Sequence, residues 1–197
     1  MEAGIPVVAV NSDLSGTKRL CYVGSDYLRG GRTAAGLLSM LTSEALNILI
    51  VTGSMHMKGH NERIYGFQQV LWEKGVSHSI VGPIEALDDN ERAFVLTKEA
   101  LRENPEVNAV YITAAGVSGA ERALRQLAKR PLVISFDDIP ATRELVRQGR
   151  IDFTICQEPI MQGYKAIQCL FDYFMQDQKT DPQDYFTDTV IKMKENI

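Results

Sequence analysis

The chain has 197 residues, 45% hydrophobic and 23% charged, a globular composition with enough apolar material for one domain or two small lobes. Twenty-one Lys and Arg against 25 Asp and Glu leave a formal charge of −4, without the basic excess or stripe that neutralises DNA phosphates. The longest apolar runs are strand-sized, so no segment is expected to enter a membrane, and Met1 leads into a β-type run with no sign of an export signal.

In chain order, β-branched apolar runs alternate with stretches of helical period. Ile5–Val10 and Leu20–Val23 are predicted strands. Tyr27–Leu41 follows as a helix, with Ala34, Leu37, Leu38 and Leu41 on one face and Asp26 placed to cap it. Asn47–Val51 is a strand, and Glu62–Lys74 a helix with Ile64, Phe67, Val70 and Leu71 inward and Gly75 as its stop. Strands at Ser79–Ile84, Val107–Ile112, Leu132–Phe136 and Phe153–Cys156 alternate with helices at Asn90–Arg102, Val117–Lys129 and Ala141–Gln148. A last helix, Ile160–Met175, sets Tyr164, Ile167, Phe171 and Phe174 along one stripe. The polar stretch Gln176–Thr189 reads as a crossing or linker before a final strand, Thr189–Met193. Strands that are apolar throughout are covered on both faces, so the predicted class is α/β, a doubly wound parallel sheet with right-handed crossovers.

Ligands of open α/β sheets bind beyond the carboxyl ends of the strands. The residues there are Asn11, Ser12 and Asp13; Thr52, Gly53 and Ser54, with a loop leading to Asn61 and Arg63; Thr113; Asp137 and Asp138; and Gln157 and Glu158. Carboxylates, amides and one guanidinium, without a cationic phosphate cradle, suit a neutral hydroxyl-rich ligand. The same residue types also gather wherever helices need N-caps, so both readings stand on pattern alone.

Catalytic and metal chemistry finds no constellation. Gly53–Gly59 has glycines at its ends but His60 where a phosphate-binding loop needs Lys, and no G-x-G-x-x-G follows the first strand. Gly116–Ala120 lacks the last glycine of a nucleophile elbow, which leaves Ser118 as a packed helix residue. His56 and His60 are four apart without the zincin Glu and read as solvated loop histidines; no metal or cofactor is expected. Asp137 and Asp138 point to opposite sides of an extended chain, an arrangement suited to one ligand acceptor and one helix cap. Trp72 is expected to pack on its lobe, and Cys21, Cys156 and Cys169 read as small buried hydrophobes of a reducing compartment.

GIPVVAVNSD (Gly4–Asp13) and YVGSDYLRGGRTAAGLL (Tyr22–Leu38) resemble the sugar-binding domain of the lactose/galactose repressor family, whose fold recurs in periplasmic binding proteins for ribose and related sugars. ILIVTGS (Ile48–Ser54), NERIYGF (Asn61–Phe67), NPEVNAVYI (Asn104–Ile112), VISFDD (Val133–Asp138) and TICQEPIMQGYKAI (Thr154–Ile167) extend the resemblance in family order over nearly the whole chain. It implies a periplasmic-binding-protein-like type I fold: two Rossmann-like lobes joined by three crossings and closing on a ligand in the cleft. By position, residues 1–25 would be the last strands of an incomplete first lobe and 26–157 the second lobe. Residues 158–180 would be the first lobe's returning helix, and 181–197 a crossing and terminal strand.

Carried over residue by residue, the resemblance makes Asn11 and Asp13 contacts from the first lobe and Arg63 the arginine that holds sugar hydroxyls, with Asn61 beside it. Asp137 becomes a ligand carboxylate and Gln157 an amide at the crossing. Tyr111 and Phe136 could face a sugar ring, although burial is expected of both. Ala114 and Ala115 stand where many relatives carry Asn-Asp, which leaves Thr113 as the substitute contact. The implied function is the effector domain of a cytoplasmic transcription regulator binding a sugar or polyol. Its DNA-binding helix-turn-helix would lie in an absent upstream part, and its uncovered apolar faces would be completed by a homodimer. The alternative is the receptor of a sugar ABC importer; no enzyme is expected.

Overall fold

The computed structural model describes residues 5–14, 16–175 and 183–197. The chain opens with β1 (Val8–Val10), β2 (Cys21–Ser25), α1 (Tyr27–Leu41), β3 (Leu46–Thr52) and α2 (Lys58–Glu73). It continues with β4 (His78–Glu85), α3 (Asn90–Glu103), β5 (Ala109–Ile112), α4 (Val117–Leu124) and β6 (Leu132–Phe136). Then come α5 (Pro140–Arg147), β7 (Phe153–Cys156), α6 (Pro159–Met175), β8 (Tyr185–Thr187) and β9 (Val190–Lys192). The architecture is α/β, parallel sheets flanked by helices, as the alternation of runs predicts. Contacts divide it into two compact units, Met1–Asp26 with Gln157–Val190, and Tyr27–Cys156 with Ile191–Ile197.

The larger unit carries a sheet of order β4-β3-β5-β6-β7-β9. β3 pairs parallel with both β4 and β5, so the chain runs outward once and then winds back across β3. That reversal is the topological switch point of a doubly wound sheet. Alternation along β3 shows why both faces are covered. Ile48 and Ile50 pack with Ala34, Leu38, Phe67 and Leu71 of α1 and α2. Leu49 and Val51 pack with Leu101, Val117, Ala120 and Val146 of α3, α4 and α5. All four β3 residues are fully buried, and each apolar side chain so buried contributes about 1.5–3 kcal/mol.

Two boundaries differ from the periodicity. α2 begins at Lys58 rather than Glu62, because Gly59 does not interrupt it: a Cβ there would lie 3.0 Å from the Tyr27 ring, so its bare backbone lets that ring lie against the helix. α4 ends at Leu124 rather than Lys129; tight turns (Gln126 N–H to Ala123 O and Leu127 N–H to Leu124 O, 3.1 Å each) then fold Leu127 back onto the core.

In the smaller unit β2 lies between β1 and β8, with both pairings parallel. β8 is a correction: it falls within the stretch expected to be a linker, where three residues between polar neighbours carry no readable alternation. Residues 176–182, the rest of that expected linker, lie outside the described residues. α6 buries Gln162 and Ala166, while Tyr164, Ile167, Phe171 and Phe174 stand exposed along its other side. The Gln162 amide donates to Gln157 O (2.7 Å) and Ser25 Oγ (3.3 Å), and Thr187 Oγ1 donates to the same carbonyl at 2.9 Å. Among the described residues no helix is long and apolar enough to cross a membrane.

Candidate functional site

On the larger unit, the carboxyl ends of β3, β5 and β6 converge on one arginine. Arg63 sits in the second turn of α2 and is only 5% exposed. Two glycines set its position. A Cβ on Gly31 of α1 would lie 1.9 Å from Arg63 O, and one on Gly66 of α2 would lie 2.2 Å from Leu28 O. Only bare backbone at both positions allows α1 and α2 to approach this closely.

The guanidinium carbon lies 4.1 Å from the centre of the Phe136 ring and 4.9 Å from that of Tyr27, a cation between two aromatic faces. Arg63 Nη1 donates to Thr113 O at 2.5 Å, whereas the buried Nε–H has no partner. No ion pair to Arg63 occurs among the described residues. A buried guanidinium normally satisfies its donors and pairs its charge, so this group is built to receive further acceptors.

The surrounding residues are fixed. Thr113 is fully buried, its Oγ1 donating to Thr52 Oγ1 at 2.7 Å, which joins the ends of β5 and β3 at the switch point. Tyr111 stacks on Phe67 (centroids 4.3 Å apart) and donates to Arg63 O at 3.4 Å. Burial pushes its phenol well above the usual range, against a smaller opposite pull from Arg63, so it remains a neutral donor. Asn61 Nδ2 donates to Met55 O at 2.8 Å, while its buried Oδ1 has no partner. Asp137, the first residue after β6, takes a left-handed φ of 65°, its N–H donating to Ile155 O (2.8 Å) and its carbonyl accepting from Thr154 Oγ1 (2.8 Å). Left-handed backbone is unusual for a residue with a side chain and persists where the surroundings hold it.

The predicted site residues thus fall into two groups. Asn61, Arg63, Thr113 and Asp137 belong to the larger unit, and Asn11, Asp13 and Gln157 to the smaller one. Asn11, the first residue after β1, also takes a left-handed φ, 63°, and its carbonyl accepts from Tyr22 Oη at 2.7 Å. Asp13 is held by Arg19 Nε at 2.5 Å, and Arg19 Nη1 also reaches Asp184 at 2.6 Å. Gln157 is half-buried, its carbonyl serving the Gln162 and Thr187 donors.

Several single-residue expectations are corrected. Asp138 does not cap α5, whose N-cap is Ile139 with Pro140 after it; its carboxylate holds Lys192 (2.6 Å) and Arg143 (3.1 Å). Burial pushes that carboxyl up, but the two cations outweigh it and hold it below the usual range. Ser118 is exposed, and Gly119 is the packed residue, since a Cβ there would lie 1.8 Å from Asn90 O. His60 lies in α2, its Nδ1 accepting from Ser54 N–H at 3.1 Å. Trp72 is 80% exposed. Cys169 is only half-buried. Phe136 is one of the two rings that the sequence offers to a sugar, with burial expected of it; Tyr27 was not legible as part of the site, because an aromatic at a helix start looks the same when it merely packs. Among the described residues no group of three His, Cys, Asp or Glu is placed to hold a metal.

Residues 1–178 match the family model described as a periplasmic binding protein domain. The chain belongs to that family. Among curated relatives, the ribose import binding protein RbsB of Escherichia coli (strain K12) is 25% identical over 169 residues, 85% of this chain and 56% of the relative. The chain therefore spans about half the length of the curated relatives it matches. Among solved structures, GanP, a glucose-galactose binding protein from Geobacillus stearothermophilus, superposes with a TM-score of 0.91 at 27% identity, over 100% of this chain and 70% of that one. AraP, an arabinose binding protein from the same organism, gives a TM-score of 0.86 at 28% identity, over 99% and 70%.

These relatives correct the functional expectation. They are described as import and sugar-binding proteins, which overturns the repressor-family transcription regulator and supports neither its DNA-binding head nor its homodimer. The fold is the one expected.

Proposed function

We propose that this periplasmic binding protein domain is the sugar-binding part of a receptor that delivers its ligand to an ABC-type sugar importer. The observation that carries the reading is Arg63: a nearly buried guanidinium between two aromatic rings, its Nε–H unpartnered, at the switch point of a doubly wound sheet. A ring oxygen or hydroxyl of a neutral sugar accepts from such a group without adding charge, and Phe136 and Tyr27 offer apolar faces beside it. Asn61, Thr113 and Asp137 are the proposed neighbouring contacts. On the smaller unit Asn11 and Gln157 are proposed contacts, and so is Asp13, through the carboxylate that Arg19 orients.

The resemblance to sugar-binding relatives supports the same ligand class, and the relatives named here are described as binding proteins rather than enzymes. The test is a melting-temperature screen of the chain against pentoses, hexoses, sugar phosphates and inositols, followed by calorimetry. A neutral sugar should give a saturable shift. Arg63→Ala should weaken binding at least about tenfold, since a hydrogen bond to a charged group is worth about 1.5–3 kcal/mol. A sugar that binds equally well to Arg63→Ala removes Arg63 from the site, and a response confined to sugar phosphates overturns the neutral-ligand reading.

A further inference from the structure

The smaller unit contains a pair of thiols that the sugar-binding reading does not use. Cys21 opens β2 and is completely buried. Cys169 lies on α6, is half-buried, and packs against the cluster formed by Cys21, Val23 and Ala166. Val8 packs on the same cluster, so the pair sits where α6 crosses the parallel strands of the small sheet.

We propose that Cys21 and Cys169 are a redox pair that closes a disulfide between β2 and α6. The geometry gives the two sulfurs different parts. Burial pushes the Cys21 thiol up to about 12, and with no exposed surface it is closed to any reagent from solution. Cys169, half-buried, is the one assigned to meet the oxidant. Its thiolate attacks a small-molecule disulfide, forming a mixed disulfide and releasing one thiolate of the oxidant. Cys21 then attacks the Cys169 sulfur, forms the protein disulfide and passes its proton to the departing thiolate, which leaves as the second thiol. Two protein thiols are oxidised and one small-molecule disulfide is reduced to two thiols, so atoms and electrons balance. The bond would join the chain segments on either side of residues 27–156, closing a loop over residues 22–168. Cross-links across loops of this length restrict the unfolded chain strongly. Cys156, on β7 of the larger unit, is the internal control: it is buried, and no other cysteine shares its unit.

The experiment uses the full chain, folded and reduced, incubated with oxidised glutathione, then blocked with an alkylating reagent in denaturant and mass-mapped. The proposal expects loss of two hydrogens from the intact mass, one cross-linked peptide pair containing Cys21 and Cys169, and an alkylated Cys156. It also expects a melting temperature raised by about 5–15 °C that returns when the protein is reduced. In Cys169→Ser no adduct and no shift should form. In Cys21→Ala, Cys169 should stop as a stable glutathione adduct. A stable glutathione adduct on Cys169 in the unmutated chain, a bond to Cys156, a disulfide between two molecules, or three unmodified thiols would each overturn it. Because the readout is mass and melting rather than sugar affinity, its failure is distinct from failure of the sugar reading.

Discussion

Gly31 and Gly36 lie on the same helix and should respond to alanine in opposite directions. A Cβ on Gly31 would lie 1.9 Å from Arg63 O, 2.7 Å from its carbonyl carbon and 2.9 Å from its Cα, while one on Gly36 meets nothing within 4 Å. To restore ordinary contact, the α2 backbone at Arg63 must retreat by more than about 1 Å, and a helix backbone gives way less readily than a side chain. Overpacking costs about 1–3 kcal/mol, with a rigid carbonyl at the upper end, against roughly 1 kcal/mol gained by replacing a helical glycine. Gly31→Ala should therefore lose about 2 kcal/mol and melt roughly 4–8 °C lower, whereas Gly36→Ala should gain up to about 1 kcal/mol and melt roughly 2–4 °C higher. The same displacement carries the Arg63 guanidinium away from its acceptors. Gly31→Ala should thus also lose sugar affinity by about tenfold or more, with Gly36→Ala unaffected. Thermal denaturation by circular dichroism and calorimetric titration measure the two effects. Gly31→Ala melting at or above the unmutated chain, or binding sugar undiminished, would refute the argument that bare backbone at this crossing sets the arginine.

Three further outcomes follow from the structure. Phe67→Ala, which removes a fully buried ring stacked on Tyr111, should cost about 3–5 kcal/mol in denaturant unfolding. Trp72→Ser should change stability by less than about 0.5 kcal/mol, because the indole stands in solvent; a larger loss in the same assay would show that it packs. Asp184 is held below the usual carboxylate range by the hydrogen bond from Arg19, which outweighs the upward push of burial, with a smaller further pull from the Tyr22 N–H. Asp138 is held low by Lys192 and Arg143. Both depressed carboxyls contribute stability that is fully present above about pH 4 and lost as pH falls through their lowered native values. The melting temperature should fall on acidification below about pH 4, with a shallower fall in Asp184→Asn.

Where the apolar pattern was strong, the fold was legible before any coordinates. The 3.6-residue period of Tyr27–Leu41 and the continuous runs Leu132–Phe136 and Phe153–Cys156 coincide with α1, β6 and β7 because burial on known faces dictates them. β8 was not legible, since three residues on a sheet edge leave no period. Trp72 shows the opposite failure: a large aromatic on a helix suggests burial, yet helical phase turns it outward while Phe67, Val70 and Leu71 face the core. At the site, strand-end position picked out Arg63, Thr113 and Asp137. It could not show that the guanidinium lies between Tyr27 and Phe136, or that Asp137 and Asn11 adopt left-handed backbone. The first of these depends on how close α1 and α2 come, which Gly31 and Gly66, far apart in sequence, decide. Asp138 was misread because its partner Lys192 lies 54 residues away, on β9.

The proposal that the Arg63 Nε–H receives a neutral sugar is tested most directly at that group itself. With uniformly nitrogen-labelled protein, its resonance can be assigned by its loss in Arg63→Lys and followed during titration with the sugar that raises the melting temperature most. The account predicts a saturable change in that resonance, with the midpoint found by calorimetry, and slowed exchange of its proton with water as the sugar oxygen takes the hydrogen bond. Calorimetric saturation without any change at Arg63 Nε–H would contradict it.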